Sequence, residues 1–447
     1  MNDGKLRLGA AVLAASIFVS GGDLFAQSGQ PAVGQASRMA VDPQTATEKK
    51  ADPAPWNRFT GEWGGGRTWL QEKAGVNIIA NFVIDWVGNP FGGLCQMARE
   101  SSNAFLGVNL DWSRWSRSLD GFQFQVSLIY RFGDSLSDQA LGNQFQVQQD
   151  YGGHGIFLYD LWLSKSFKDG RYLLKLGRIA QGDDFLSNPL FGAYVNNAFD
   201  GNPVSIFLNS PIEAYPHSTW GIYYYMNPID QWYLKAGVYG ADTRLNLDSM
   251  HGSFMGFDFN QGAYIIAQTG YRLNKAKGDQ GLSGEYSVGA YYSTATWPVQ
   301  GDTQGRTVTG LWGAYLMVDQ MLYREGKNSD QGLYIWMSFV TGPEDTSKMP
   351  YFVSGGLQYK GLIPTRDNDK LVLGAVWGKF SPYLAHAERM TPGGLPQDSE
   401  TVIELDYLFQ IAPFFYIEPN FQYIINPSGT GKIMNPLVIG LQGGINL

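Results

Sequence analysis

The side chains best suited to chemistry concentrate in Gly182 to His217. Asp183, Asp184, Asn196, Asn197, Asp200, Asn202 and Glu213 lie there among Phe185, Phe191, Tyr194 and Phe199. Carboxylates and amides exchange hydrogen bonds with solute hydroxyls, and aromatic faces cover apolar C–H faces. Asn and Asp also satisfy their own backbone in turns, so both readings stay open for each residue. A second set is cationic. Arg131 shares a face with Gln123, Gln125 and Ser127, and Arg272 shares one with Gln268. Lys175 alternates with Leu174 and Leu176, and Lys235 alternates with Leu234 and Ala236. Arg178 falls on the parity of Leu174 and Leu176, so its aim depends on where the chain bends.

Covalent chemistry finds little support. His154, His217, His251 and His386 stand beside no recognisable nucleophile motif. Trp63-Gly64-Gly65-Gly66 has no Gly-Lys-Ser/Thr after it and is not a phosphate loop. Adjacent strand residues point to opposite faces, so Asp183-Asp184 makes a poor metal or acid–base pair. Cys95 is the one cysteine and reads as a loop residue with no disulfide framework. No catalytic residue, metal or cofactor is expected.

The elements that must hold these residues are strands. Phe122 to Phe132 reads FQFQVSLIYRF, with Phe122, Phe124, Val126, Leu128, Tyr130 and Phe132 on one face. Gln123, Gln125, Ser127, Ile129 and Arg131 take the other. A period of two is a strand signal, and a strand oily outside and wet inside suits a barrel in a bilayer. Val76 to Trp86 repeats the pattern, with Asn77, Asn81 and Asp85 on the polar face. Asn109, Asp111 and Ser113 oppose Val108, Leu110 and Trp112. The lumen-lining set expected from these faces is Asn81, Asp85, Asp111, Gln123 and Gln125.

Sixteen such segments are expected, near 75–88, 104–113, 121–132, 156–166, 172–179, 217–226, 231–240 and 261–273, then 284–293, 308–319, 331–340, 351–360, 370–380, 400–411, 414–424 and 434–447. Eighteen strands is the alternative. Long gaps follow mostly odd-numbered strands, as with 133–155, 180–216, 241–260 and 381–399, while 167–171, 227–230 and 412–413 are short. Long outer loops and short periplasmic turns produce that rhythm when both termini are periplasmic. A cation on the lipid face near the midplane costs about 2–4 kcal/mol, which favours the lumen for the basic set.

Composition agrees. Charged residues make up only 16% and aromatics 14% of 447 residues, with 56 Gly. Tyr and Trp gather at membrane interfaces. A net charge of −8 disfavours nucleic acid as a partner. Lys5 and Arg7 precede the apolar run Leu8 to Val19, and Leu24-Phe25-Ala26 offers a cleavage site, so 1–26 reads as a signal peptide. Residues 27–55, with Pro31, Pro43, Pro53 and Pro55, read as a disordered periplasmic lead. A short periplasmic helix or plug-like segment is expected over 56–74, and the barrel over 75–447.

The ordered motifs resemble carbohydrate-selective porins, the OprB family. Trp63-Gly64-Gly65-Gly66-Arg67 with Leu70 and Gly75-Val76 looks like the family's lead into its first strand. Gly177-Arg178 with Gly182-Asp183-Asp184-Phe185 looks like the segment before its long third loop, where Phe191, Asn196, Phe199 and Pro203 also match. Gly355-Gly356-Leu357, Tyr359, Gly361, Leu362, Pro364, Arg366 and Asp369 resemble a late strand-turn-strand signature. Glu404, Pro419, Gln422, Tyr423, Asn426 and Pro427 resemble its C-terminal hairpin. The resemblance implies an outer-membrane antiparallel β-barrel of a Gram-negative bacterium, passing small sugars by diffusion. The long loop and the basic strand residues supply the constriction candidates Arg131, Lys175, Arg178, Asp183, Asp184, Asn196, Asn197, Phe199, Lys235 and Arg272. Implied partners are outer-membrane lipid, lipopolysaccharide and the barrel-assembly machinery, in a monomer or trimer. Passage of a polysaccharide or other polar solute is the alternative.

Overall fold

A computed structural model describes residues 58–242, 251–253, 255, 256, 259–276, 279–327 and 329–447. The expected signal peptide and lead segment lie outside the described residues. Sixteen antiparallel strands close into one barrel. They are β1 Val76–Gly93, β2 Ala98–Asp111, β3 Phe122–Gly133, β4 Gly155–Phe167, β5 Tyr172–Ile179, β6 Thr219–Ile229, β7 Trp232–Gly240 and β8 Ala263–Leu273. The second half is β9 Gly284–Pro298, β10 Thr307–Arg324, β11 Gly332–Thr341, β12 Tyr351–Lys360, β13 Lys370–Lys379, β14 Ser399–Ala412, β15 Phe415–Ile425 and β16 Met434–Asn446. Every strand pairs with its sequence neighbours, and β1 closes on β16 from Asn81↔Asn446 to Gly93↔Met434. Closure leaves no edge, so each strand's backbone groups are paired within the wall, as hydrocarbon surroundings require.

The alternation of β3 holds in three dimensions. Leu128 and Tyr130 are exposed on the outside, while Gln125, Ser127, Ile129 and Arg131 are buried within. Exposed aromatics gather toward both strand ends, with Trp86, Tyr130, Tyr292, Trp312 and Trp377 near the long-loop rim. Phe167, Tyr271, Tyr286 and Tyr323 lie toward the short-turn rim.

Several boundaries differ from those read in the sequence. β1 and β2 run on through Gly93 and from Ala98, where Arg99, Glu100, Ser101 and Ser102 carry no apolar alternation. β10 continues to Arg324. At the opposite end of β2, Trp112 to Arg114 forms a 3₁₀ turn, and Asp111 accepts the Ser113 amide at 3.0 Å. Asp111 therefore caps a turn at the rim.

Residues 58–74 include a short helix, Gly66–Trp69, and lie beside the closure seam. The Phe59 amide donates to the Asn446 carbonyl at 3.0 Å, and Arg67 Nη1 donates to the Leu447 carbonyl at 3.0 Å. Arg67 also sits 4.3 Å from the Trp63 ring centroid.

Candidate functional site

The site begins where β5 leaves the wall. Gly177 adopts φ +136°, and a Cβ there would stand 2.3 Å from the Leu161 carbonyl oxygen. Only glycine fits that close approach. Beyond it the alternation breaks, and Arg178 and Ile179 are both buried. The Arg178 guanidinium donates to the carbonyls of Ser218, at 2.8 Å, and Gly252. Arg178 thus fastens the rim around the exit of the loop.

Residues 180–218 then run inside the barrel, and their anchors step around its wall in order. Phe185 meets Tyr223 of β6 edge to face at 5.6 Å. The Leu186 amide donates to Gln268 of β8, and Asn188 donates to Asp319 of β10 at 2.9 Å. Phe191 packs on Trp336 of β11 at 4.7 Å, and the Trp336 indole donates to the Tyr194 hydroxyl at 3.2 Å. The amides of Val195 and Asn196 donate to the Glu404 carboxylate of β14 at 2.7 and 3.0 Å, and Asn196 Nδ2 donates to Gln422 of β15 at 2.9 Å. Asn202 bonds back to the carbonyls of Gly182, Phe185 and Leu186, which closes the loop on itself.

A second loop also enters. Within 134–154, Leu136, Phe145 and Val147 are fully buried. Glu400 of β14 accepts the amides of Gln144 and Phe145 at 2.8 Å each, and Gln422 donates to the Val147 carbonyl at 2.9 Å. Glu400 and Glu404, four residues apart on one face of β14, therefore hold one loop each. Sequence reading missed this second loop. Its signal was a long gap that still carried Leu136, Ala140, Leu141, Phe145 and Val147.

These anchors divide the interior into a sealed part and a wetted part. Arg131, Arg178, Asn196 and Asn197 are 0% exposed and Phe199 is 1% exposed. Arg131 donates to the Tyr151 carbonyl at 3.0 Å and lies 4.8 Å from the Tyr215 ring. Phe199 stacks on Tyr194 at 5.0 Å. These residues hold the loops. Lys175 and Arg272, at 9%, and Gln125 and Asp160, at 7%, keep contact with water. Of the expected lining residues, Asn81 and Asp85 point inward and are buried, and Gln123 is exposed near the short-turn end of β3.

On the wetted side the charges are paired. Lys175 Nζ lies 2.8 Å from Asp184, and Lys235 Nζ donates to the Asp184 carbonyl at 2.9 Å. Next along the wall, Arg272 and Lys275 approach Glu285 at 3.5 and 3.0 Å, and Lys275 reaches Asp319 at 3.4 Å. Asp183 accepts from the Tyr159 hydroxyl. Burial, reinforced by the charge of Asp160, holds the Asp183 carboxyl well above the usual carboxylate range.

Tyrosines back this wall: Tyr223, Tyr225, Tyr233, Tyr239, Tyr264, Tyr291 and Tyr315 all point inward and are buried. Tyr315 lies over Gly289 of the next strand, where a Cβ would stand 2.1 Å from the ring. The Tyr233 hydroxyl donates to Glu285 at 2.7 Å and Tyr315 donates to Gln268 at 3.1 Å.

Asp160 was also invisible to alternation. A register shift between Ser127 and Leu128 marks a bulge in β4, and it turns both Tyr159 and Asp160 inward. A bulge puts two residues opposite one and resets parity.

The geometry is that of a wide barrel narrowed by internal loops, with hydrogen-bonding groups and paired charges on the water-contacting wall. Comparisons with known proteins agree. The family model described as carbohydrate-selective porin, OprB family, matches residues 96–447. Porin B of Pseudomonas aeruginosa is 27% identical over 431 residues, covering 89% of this chain and 92% of that protein. A putative porin, QuiX, of Acinetobacter baylyi is 26% identical over 418 residues, covering 86% and 92%. The high-pH structure of Pseudomonas putida OprB superimposes with a TM-score of 0.81 at 25% identity, covering 89% of this chain and 100% of that one. That family consists of channels of the Gram-negative outer membrane, not of enzymes, and this chain belongs to it: it is an OprB-family carbohydrate-selective porin.

Proposed function

We propose that this porin passes monosaccharides and similar small neutral sugars by passive diffusion, through a water-filled channel narrowed by loops 134–154 and 180–218. The observation that carries this reading is the wetted wall. There Lys175, Arg272 and Lys275 pair with the carboxylates of Asp184, Glu285 and Asp319, and Lys235 donates to the Asp184 carbonyl. Fixed groups of both signs offer donors and acceptors to hydroxyls, without the dense single-sign ladder that would suit an ion. Two loops inside the barrel favour small solutes over a polysaccharide. Both termini face the periplasm in this reading, 1–26 is removed as a signal peptide, and lipopolysaccharide surrounds the aromatic-rimmed outer face.

Proteoliposome swelling tests the proposal. Vesicles carrying the protein swell faster in glucose than in a charged solute of similar size, such as gluconate. Equal rates for the two would defeat the selectivity, and no swelling in any solute would defeat the channel.

A further inference from the structure

The indole of Trp162 belongs to none of the charge pairs, yet it stands among them. After the β4 bulge, Asp160, Trp162 and Ser164 share the inward face. Trp162 pairs with Gln125 on β3 and with Gly177 on β5. Gly177 has no side chain, so nothing on β5 at that register covers the indole. The ring remains partly exposed and packs at the edge of the apolar cluster that the internal loops form with the wall. Lys175 Nζ lies over one face of the ring, 5.1 Å from its centroid, and is held by Asp184 at 2.8 Å. Gln125 donates to Ser127 at 3.1 Å and Ser127 donates to Asp160 at 3.1 Å, which fixes the polar frame beside the ring.

We infer that Trp162 is the stacking platform of a pyranose subsite, with Gln125, Asp160, Lys175 and Asp184 as its polar rim. The inference rests on the sugar-channel reading above. A pyranose has an apolar face of ring hydrogens and an equator of hydroxyls. An aromatic face matches the first, and a rim of amide, carboxylate and ammonium groups matches the second. Lys175 is restrained by Asp184 before any solute arrives, so little side-chain freedom is lost on contact.

Single-channel recording in planar bilayers tests it, with glucose and the open-chain hexitol mannitol as solutes. Mannitol carries the hydroxyls but no rigid ring face. Glucose lowers the current of the unsubstituted channel at a smaller half-saturating concentration than mannitol does. Trp162→Leu raises that concentration for glucose by roughly fivefold, as expected for the loss of one ring stack, and leaves mannitol unchanged. Trp162→Phe returns glucose to within about twofold, because a ring face remains. An unchanged glucose titration in the Trp162→Leu channel, with glucose swelling intact, overturns the subsite and leaves the sugar-channel reading standing. Failure of the unsubstituted protein to swell vesicles overturns both. If Trp162→Leu yields no heat-resistant barrel band on a gel, Gln125→Ala decides the question. A rise in the glucose value alone supports the subsite, and an unchanged value refutes it.

Discussion

Replacement of Glu404 tests whether loop 180–218 is latched to the wall. Its carboxylate accepts the amides of Val195 at 2.7 Å and Asn196 at 3.0 Å, and all three residues are fully buried. Glu404→Ala removes both acceptors and leaves two buried N–H donors without that partner. Each such donor costs about 1–3 kcal/mol, and water entering the vacated space lowers the total to about 2–4 kcal/mol. At 1.4 kcal/mol per tenfold, the open-loop population rises roughly 30- to 700-fold. Glu404→Gln keeps an acceptor oxygen but loses the charge, so its shift is about 1–2 kcal/mol. The remaining anchors, Asn196 to Gln422 and Trp336 to Tyr194, still favour the closed loop. The assay is single-channel recording with vesicle swelling on the same preparations. Glu404→Ala shows bursts of higher conductance and admits glucose and gluconate at converging rates. Glu404→Gln falls between it and the unsubstituted protein. Glu404→Ala channels with unchanged conductance, noise and selectivity, from a barrel of unchanged heat resistance, would refute the latch.

Three further outcomes follow from the same geometry. Arg178→Ala leaves the Ser218 and Gly252 carbonyls without their guanidinium and costs about 2–4 kcal/mol. The temperature at which the compact band unfolds on a gel falls, while glucose selectivity is kept. Lys175→Met strips Asp184 of its ammonium neighbour at 2.8 Å, so the reversal potential in a salt gradient moves toward cation selectivity, and Asp184→Asn moves it the other way. His217, in the loop just before β6, is driven from 6.5 down to about 3 by burial first and then by Arg131 and Arg178. The folded protein therefore keeps this imidazole neutral while the unfolded chain takes up a proton below 6.5. Its stabilising contribution is complete above that pH and is lost as pH falls toward 3. Melting followed between pH 7 and 4 shows a decline that His217→Gln flattens.

Much of the barrel was legible because period two and the pleat are the same physical fact. Phe122 to Phe132 announced both its faces, and all sixteen strands lie where alternation put them, with ends shifted most at β1, β2, β9 and β10. At β2 the shift falls where the strand continues beyond the oily band, since Arg99 to Ser102 no longer need an apolar face. The site was less legible. Lys175, Lys235 and Arg272 obey parity and stand inside near Asp184 and Glu285. Arg178 and Asp160 do not obey it, because Gly177 and the β4 bulge each reset the alternation. Trp162 gave no signal, since a tryptophan at that parity reads equally well as a packing residue.

The sequence by itself determined which side of each regular strand meets lipid, because burying polar atoms in hydrocarbon is too costly for any other arrangement. It also singled out Gly182 to His217 as the longest candidate for a loop folded into the channel. Only the tertiary structure decided that 134–154 enters as well, that Glu400 and Glu404 hold one loop each, and that Arg131 and Asn196 are sealed while Lys175 and Arg272 stay wet. The reason is distance along the chain. Glu404 lies 209 residues from the Val195 amide it accepts, and no local pattern encodes a contact made only when β14 curves around to face the end of β5.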